Sequence, residues 1–249
     1  MLRVALLAAV AAMLFPFGTN AAEIKVLSSN AVREAYSVLF PAFEKATGHR
    51  VQVVWGGTVD LKRRVEDGEV ADLVIIPAAD VDGLIASGKL LPRGRFDLVK
   101  SIIGVAVRAG LPKPDISSGE KLTSSLLAAN SVLISSGPSG IYLWDLFDRR
   151  GILPALRPKM KQLAPGESVG DALARGEGDL GFTQVSEFLH IQGITYVGPL
   201  SPDVQRVTVF SAGLLSKAPQ PAAARQLVEF LRDPRNATAL KKAGLEPVH

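Results

Sequence analysis

Apolar residues along this chain recur in two rhythms, and the rhythms alternate. Residues 24–27 form a short apolar run, after which Val32, Tyr36, Leu39 and Phe43 recur at helical spacing across 31–46. Pro41 lies inside that helix and predicts a kink or a local break. A strand is expected over 51–55, a turn at Gly56-Gly57-Thr58, and a helix over 60–66 that closes at Gly68. Residues 71–76 are almost wholly apolar, the pattern of a parallel strand covered on both faces. A helix over 81–87 follows and ends at Gly88.

This βαβαβα order predicts a doubly wound α/β lobe. The character changes after Leu91-Pro92. Strands are expected over 101–107, 132–135, 179–182, 194–197 and 207–215, and the segment 110–119, with Pro112 and Pro114, reads as a loop. Helices are expected over 141–150, 169–175, 186–190, 222–231 and 237–243. A second α/β unit inserted between Val99 and Gln205 explains this middle stretch, so the fold class expected is two doubly wound α/β lobes with a ligand cleft between them. The bounds expected are a signal peptide over 1–22, the first part of lobe 1 over 23–100, lobe 2 over 101–205 and the return to lobe 1 over 206–249. The chain then crosses twice, near 101–108 and 205–212, which makes a two-segment hinge.

The first residues bear on compartment. Arg3 precedes an apolar run over 4–15, and small residues follow at Thr19-Asn20-Ala21-Ala22. That is the layout of a secretory signal peptide, and a run of roughly 12 residues is too short to span a bilayer, which needs ~20. With no cysteine in the chain, disulfides, thiolate metal sites and a lipid anchor are excluded. A soluble monomer in the periplasm is expected. The net charge of +4 is spread among interleaved acids and bases, and aromatics make up only 6% of the chain, so nucleic acid is not an expected partner.

Ligands of open α/β sheets sit beyond the carboxyl ends of the strands, where helices begin. The residues at those positions here are Ser28, Ser29 and Asn30, then Gly56, Gly57 and Thr58, then Pro77 and Ala78. In the middle segment they are Ser136, Gly137, Pro138, Ser139 and Gly140, and then Thr183 and Gln184. They are small, neutral and rich in hydroxyls, and several open helices whose unpaired N–H groups attract anions. Each turn taken alone reads first as a helix cap; it is their recurrence that points to an anion cradle. Arg33, in the first turn of its helix, is a possible partner for that anion.

Catalytic patterns are weak. Gly137-Pro138-Ser139-Gly140 lacks the Gly-x-Ser-x-Gly spacing. The three histidines, His49, His190 and His249, do not follow apolar strand ends; His49 and His249 read as exposed, and His190 as a surface residue. No cluster has metal-ligand spacing, so no metal and no cofactor are expected.

Four stretches carry a family likeness: "PAFEKATGHRVQVVWGGTVDLKRRVEDGEVADLVIIPA", "SSGPSGIYLWDLF", "ESVGDALARGEGDLGFTQVSE" and "AARQLVEFLRDPRNATALKKAGLEP". With them the chain resembles the periplasmic molybdate-binding proteins and their wider relatives, the type II solute-binding proteins of ABC transporters. The resemblance implies a receptor, not an enzyme, that closes on molybdate, tungstate or a small organic anion and docks on a membrane permease. It places Thr58 on a ligand-binding serine of the family, and Ser139 and Val169 on backbone donors. It also marks departures: Ala31 replaces a hydroxyl residue, Pro77 replaces a residue that offers its N–H, and Gln184 replaces a tyrosine. The alternative is an exported, dehydratase-like enzyme on the same scaffold, with Glu187 or Arg33 as its acid/base residue. The effector domain of a transcription regulator shares the fold too, but the leader and the missing DNA-binding helices count against it.

Overall fold

The computed structural model describes residues 21–248. The leader expected over 1–22 therefore lies almost wholly outside the described residues, as does His249. In chain order the elements are β1 (Glu23–Ser29), α1 (Arg33–Thr47), β2 (Arg50–Gly56), α2 (Thr58–Glu66), β3 (Leu73–Pro77) and α3 (Ala78–Ala86). Next come β4 (Leu90–Arg108), α4 (Gly119–Ala128), β5 (Val132–Ile134), α5 (Pro138–Arg149), α6 (Leu153–Leu156) and β6 (Met160–Gln162). The chain closes with α7 (Val169–Ala174), β7 (Leu180–Gln184), β8 (Ile194–Pro199), β9 (Val207–Leu215), α8 (Pro221–Leu231), α9 (Ala237–Lys242) and β10 (Glu246–Pro247).

The strands hydrogen-bond in the order β2-β1-β3-β9-β4-β7-β5-β6, with β8 and β10 also on β4. Strands β1, β2 and β3 pair in parallel, and β9 returns antiparallel to β3. Strands β5, β6 and β7 repeat a parallel arrangement in the other half. Strand β4 joins the halves: through Ile102 it pairs with β9, and from Ile103 onward with β7 and β8. The Gln205 side chain fastens the second crossing to the first, accepting from Ile103 N at 2.8 Å and donating to the Ile103 and Leu200 carbonyls.

Side-chain alternation places apolar residues on both faces of each half. In β3, Leu73 and Ile75 join Tyr36, Phe43 and Leu227 beneath α1 and α8, while Val74 and Ile76 join Leu61 and Leu84 beneath α2 and α3. The same division recurs around β5, with Val132 and Ile134 against Phe147 and Phe182, and Leu133 against Leu173 and Phe188. Burying each large side chain contributes roughly 1.5–3 kcal/mol, so each half has a core of its own.

Some local expectations change. Helix α1 runs through Pro41 unbroken; that residue faces solvent, where water can serve the carbonyl that loses its donor. Strand β4 starts well before residue 101 and takes in Pro92 and Gly94, because a register shift between Leu90 and Arg95 absorbs them against β9. Helix α4 was not expected; it begins at Gly119 and buries Leu122 and Leu126 one turn apart. His49 is buried, accepting from Ala22 N at Nδ1, meeting Gln226 Oε1 at Nε2 (3.0 Å) and stacking on Phe43. None of the helices among the described residues is long and apolar enough to cross a membrane.

Candidate functional site

A cavity of about 40 Å³ lies where the two halves of the sheet meet. Its first wall is built from helix starts. Helix α2 begins at Thr58 behind Gly57, and α5 begins at Pro138 behind Gly137; neither has a side-chain cap at its N-terminus. Thr58, Ser136 and Ser139 line the cavity at these helix starts, where the first N–H groups of a helix have no intrahelical partner. Ser29 caps the short 3-10 turn Asn30–Val32 by accepting from Ala31 N at 3.3 Å. Ser135 and Ser139 share a 2.8 Å hydroxyl hydrogen bond. The lining contains no lysine, arginine or histidine, so the lining itself offers positive potential through N–H groups and hydroxyls.

The second wall carries acceptors. Gln184 ends β7, is 1% exposed, and has no partner at either Nε2 or Oε1. Asn30 donates Nδ2 to the Gly166 carbonyl at 3.4 Å, which leaves its buried Oδ1 unpartnered. Glu187 lies one short turn after Gln184 and accepts from Thr183 Oγ1 at 2.6 Å. Enclosure pushes the Glu187 carboxyl above the usual carboxylate range, against the opposing pull of Thr183, the Gln184 backbone and the charges of His190 and Arg33.

The loop before α7 closes the cavity from above. Gly166, at φ +87°, approaches Gly57 so closely that a Cβ on Gly57 would lie 2.6 Å from the Gly166 nitrogen. This backbone-to-backbone contact requires glycine at 57. The halves also meet where Ser186 Oγ donates to the Ala31 carbonyl at 2.7 Å, and where His190 stands 3.6 Å from Glu34.

The structure gathers Ser29, Asn30, Thr58, Ser136, Ser139 and Gln184 around this cavity and leaves other expected residues out of its lining. Ser28 is buried within the sheet, between Trp55 and Ile75 of its neighbouring strands. Pro77 lines a separate groove beside Ile141 and Val207. Gly140 serves close packing, since a Cβ there would lie 1.7 Å from the Ser135 carbonyl oxygen. Val169 is a core residue, 2% exposed. Arg33 points outward and stacks 5.4 Å from the Trp55 ring centroid, because the 3-10 turn sets the phase of α1 so that Ala31 and Val32 face inward. Glu167, Gly166 and Phe210 line the cavity without having been expected there. Of these, Gly166 carried a signal, as a Pro-Gly turn just before a helix.

The family described as "Bacterial extracellular solute-binding protein" matches residues 24–246. An aconitate isomerase from a Pseudomonas species is 37% identical over 231 residues, covering 90% of this chain and 88% of that protein. The Escherichia coli molybdate-binding protein ModA is 26% identical over 248 residues, covering 94% of each chain. The periplasmic molybdate-binding protein of Azotobacter vinelandii superposes with a TM-score of 0.74 at 20% identity, covering 91% of this chain and all of that one. The fold is thus that of the periplasmic binding proteins. The expectation that the chain is not an enzyme is overturned, because the relative at 37% identity is named as an enzyme over nearly its whole length.

Proposed function

Since the chain belongs to the bacterial extracellular solute-binding protein family, and its cavity holds a carboxyl group no simple anion cradle needs, we propose that it isomerises aconitate or a closely related unsaturated tricarboxylate. The observation that carries this reading is Glu187, which lines the closed cavity with its acidity lowered by enclosure. A carboxylate so destabilised is a stronger base than one in water.

Aconitate is a propene bearing three carboxyl groups, one of them on a methylene beside the double bond. Glu187 takes a proton from that methylene, and the C–H electron pair becomes the new double bond. The old π pair moves to the far alkene carbon, which takes the proton back from Glu187. Atoms and charge balance, with no oxidant or reductant. Charge that builds on the substrate carboxyls during the shift is met by Ser139, Thr58 and the N–H groups at the starts of α2 and α5. Closure of Gly166 onto Gly57 excludes water from the carbanion. The cavity as it stands has room for only a few water-sized groups, so a six-carbon acid enters an opened cleft and the halves re-close around it.

The test is incubation of the purified protein with trans-aconitate in D2O, followed by proton NMR. The expected result is appearance of the cis isomer, with deuterium entering the carbons that exchange protons. Absence of both products at micromolar protein over hours overturns the reading.

A second reading has one observation in its favour. The cavity volume of about 40 Å³ suits a compact oxyanion, as in the molybdate-binding relatives. On that reading the cleft captures a small anion outside the cytoplasm and delivers it to an ABC-transporter permease. Saturable molybdate or tungstate binding with no aconitate turnover supports it.

A further inference from the structure

The cavity contains more hydrogen-bond acceptors than an anion can use. Gln184 Oε1 and Asn30 Oδ1 are both shielded from solvent and both lack a partner. The Asn30 amide is oriented by its bond to the Gly166 carbonyl, which commits its nitrogen and turns its oxygen toward the unpaired role. Fully ionised oxyanions such as molybdate or sulfate offer only acceptors. Bound here, they leave both amide oxygens unsatisfied, and a buried polar group without a partner costs roughly 1–3 kcal/mol.

Charge points the same way. No cationic side chain lines the cavity, while Glu187 and Glu167 do. Helix starts and hydroxyls supply partial charges that offset one or two negative charges, not an unscreened trianion beside carboxylates. A ligand that carries an O–H supplies the missing donor, and where that O–H belongs to an un-ionised carboxyl it also has one charge fewer.

We propose that this cleft selects small acids carrying a hydrogen-bond donor of their own, a hydroxyl or an un-ionised carboxyl, which Gln184 Oε1 and Asn30 Oδ1 accept, and that it discriminates against fully ionised oxyanions of the same size. This deepens the isomerase reading by naming the ionic form of the acid that binds, and it rests on that reading only in placing substrate in this cavity. Gln184 then acts as a specificity residue: its amide donates to one substrate oxygen and accepts from another.

Two ligand pairs, each differing by one O–H, test it by titration calorimetry at pH 8. Hydrogen phosphate and sulfate are dianions of nearly one shape, and only the first has a donor. The second pair is 2-hydroxybutanedioate and butanedioate, both dianions at this pH. The expected result is that the donor-bearing member of each pair binds at least about tenfold more tightly, the worth of one satisfied buried acceptor. In Gln184→Leu, and in Gln184→Met as a second apolar variant, the ratio falls below about threefold. Replacing an unpaired buried amide by an apolar side chain leaves no new orphan group, so both variants fold. A wild-type ratio near one in both pairs overturns the proposal. So does a ratio that survives in both variants, or the absence of measurable binding by all four compounds at 10 mM. Aconitate turnover measured on the same samples reports separately on the isomerase reading, because ligand preference and turnover fail independently.

Discussion

The two walls of the cavity differ in how they are built and in what they do. The donor wall, with Thr58, Ser136 and Ser139, is assembled from helix starts at strand ends, a device that grips any small anion. The acceptor wall, with Asn30, Gln184 and Glu187, is costly without a ligand, since it holds unpaired amide oxygens and an enclosed carboxyl. Groups that cost stability where they stand mark the part of a site that performs its specific work. On the proposed isomerase reading, the donor wall holds the anion and the acceptor wall carries the chemistry.

The largest effect that separates the walls is expected from Glu187→Gln. The amide keeps its shape and still accepts from Thr183, but it cannot carry a proton. Turnover of aconitate should fall by about 10²–10⁴-fold, the usual worth of a positioned acid/base group, with ligand affinity changed only a few-fold. Steady-state kinetics beside calorimetry checks this split. An equal loss in binding and turnover would make Glu187 a ligand-gripping group instead.

Next in size is the contact that shuts the cavity. In Gly57→Val the new side chain meets the Gly166 nitrogen at a distance no real Cβ occupies, so the loop cannot seat and the walls stay apart. Misplacing a catalytic constellation by about 1 Å costs on the order of 100-fold in rate, and a loss near that in kcat/KM is expected. Gly83→Ala is the control: a Cβ there meets nothing within 4 Å, and its helix should be as stable as before or slightly more so. Small-angle scattering with and without ligand would show whether the Gly57 variant fails to contract.

The walls also differ in how far a linear reading reaches them. Ser29, Thr58 and Ser139 were legible because a helix start at a strand end is a local pattern, visible in a few neighbouring residues. The two halves, with their double crossing, were legible for the same reason, since apolar rhythm reports each element alone. Arg33 was not, because its direction depends on a 3-10 turn whose three residues per turn shift the phase of α1. His49 was misread because its partners Ala22 and Gln226 come from distant parts of the chain. The cleft closure at Gly57 and Gly166 joins residues over a hundred positions apart, and nothing local announces it.

A milder change addresses the donor wall by itself. Ser139→Ala removes one hydroxyl from the start of α5 and leaves Ser135 without its partner. One ordinary hydrogen bond is worth about 1 kcal/mol, so binding of any anionic ligand should weaken about fivefold, with turnover at saturation nearly intact. A much larger fall in kcat than in affinity would move Ser139 from holding the substrate to stabilising the transition state.

The smallest effect is one of stability, and its sign follows from proton linkage. The Glu187 carboxyl titrates above its unfolded value, because enclosure disfavours its charged form in the folded chain. The native state therefore holds that proton more tightly than the unfolded state. Its contribution to stability is complete below the ordinary glutamate range and is lost as pH rises through the raised value. Glu187→Gln has no charge to bury, so its melting temperature relative to wild type should climb as pH passes from acid to mildly alkaline, by at most a few degrees. Below the ordinary glutamate range the two proteins should converge, since both then carry a neutral group. Thermal melts of both proteins across that pH span decide it. A gap that stays constant would mean the group is unshifted by folding, and a relative melting temperature of Glu187→Gln that falls as pH rises would mean the carboxylate is stabilised in the folded chain; either would remove the physical basis for treating Glu187 as the base.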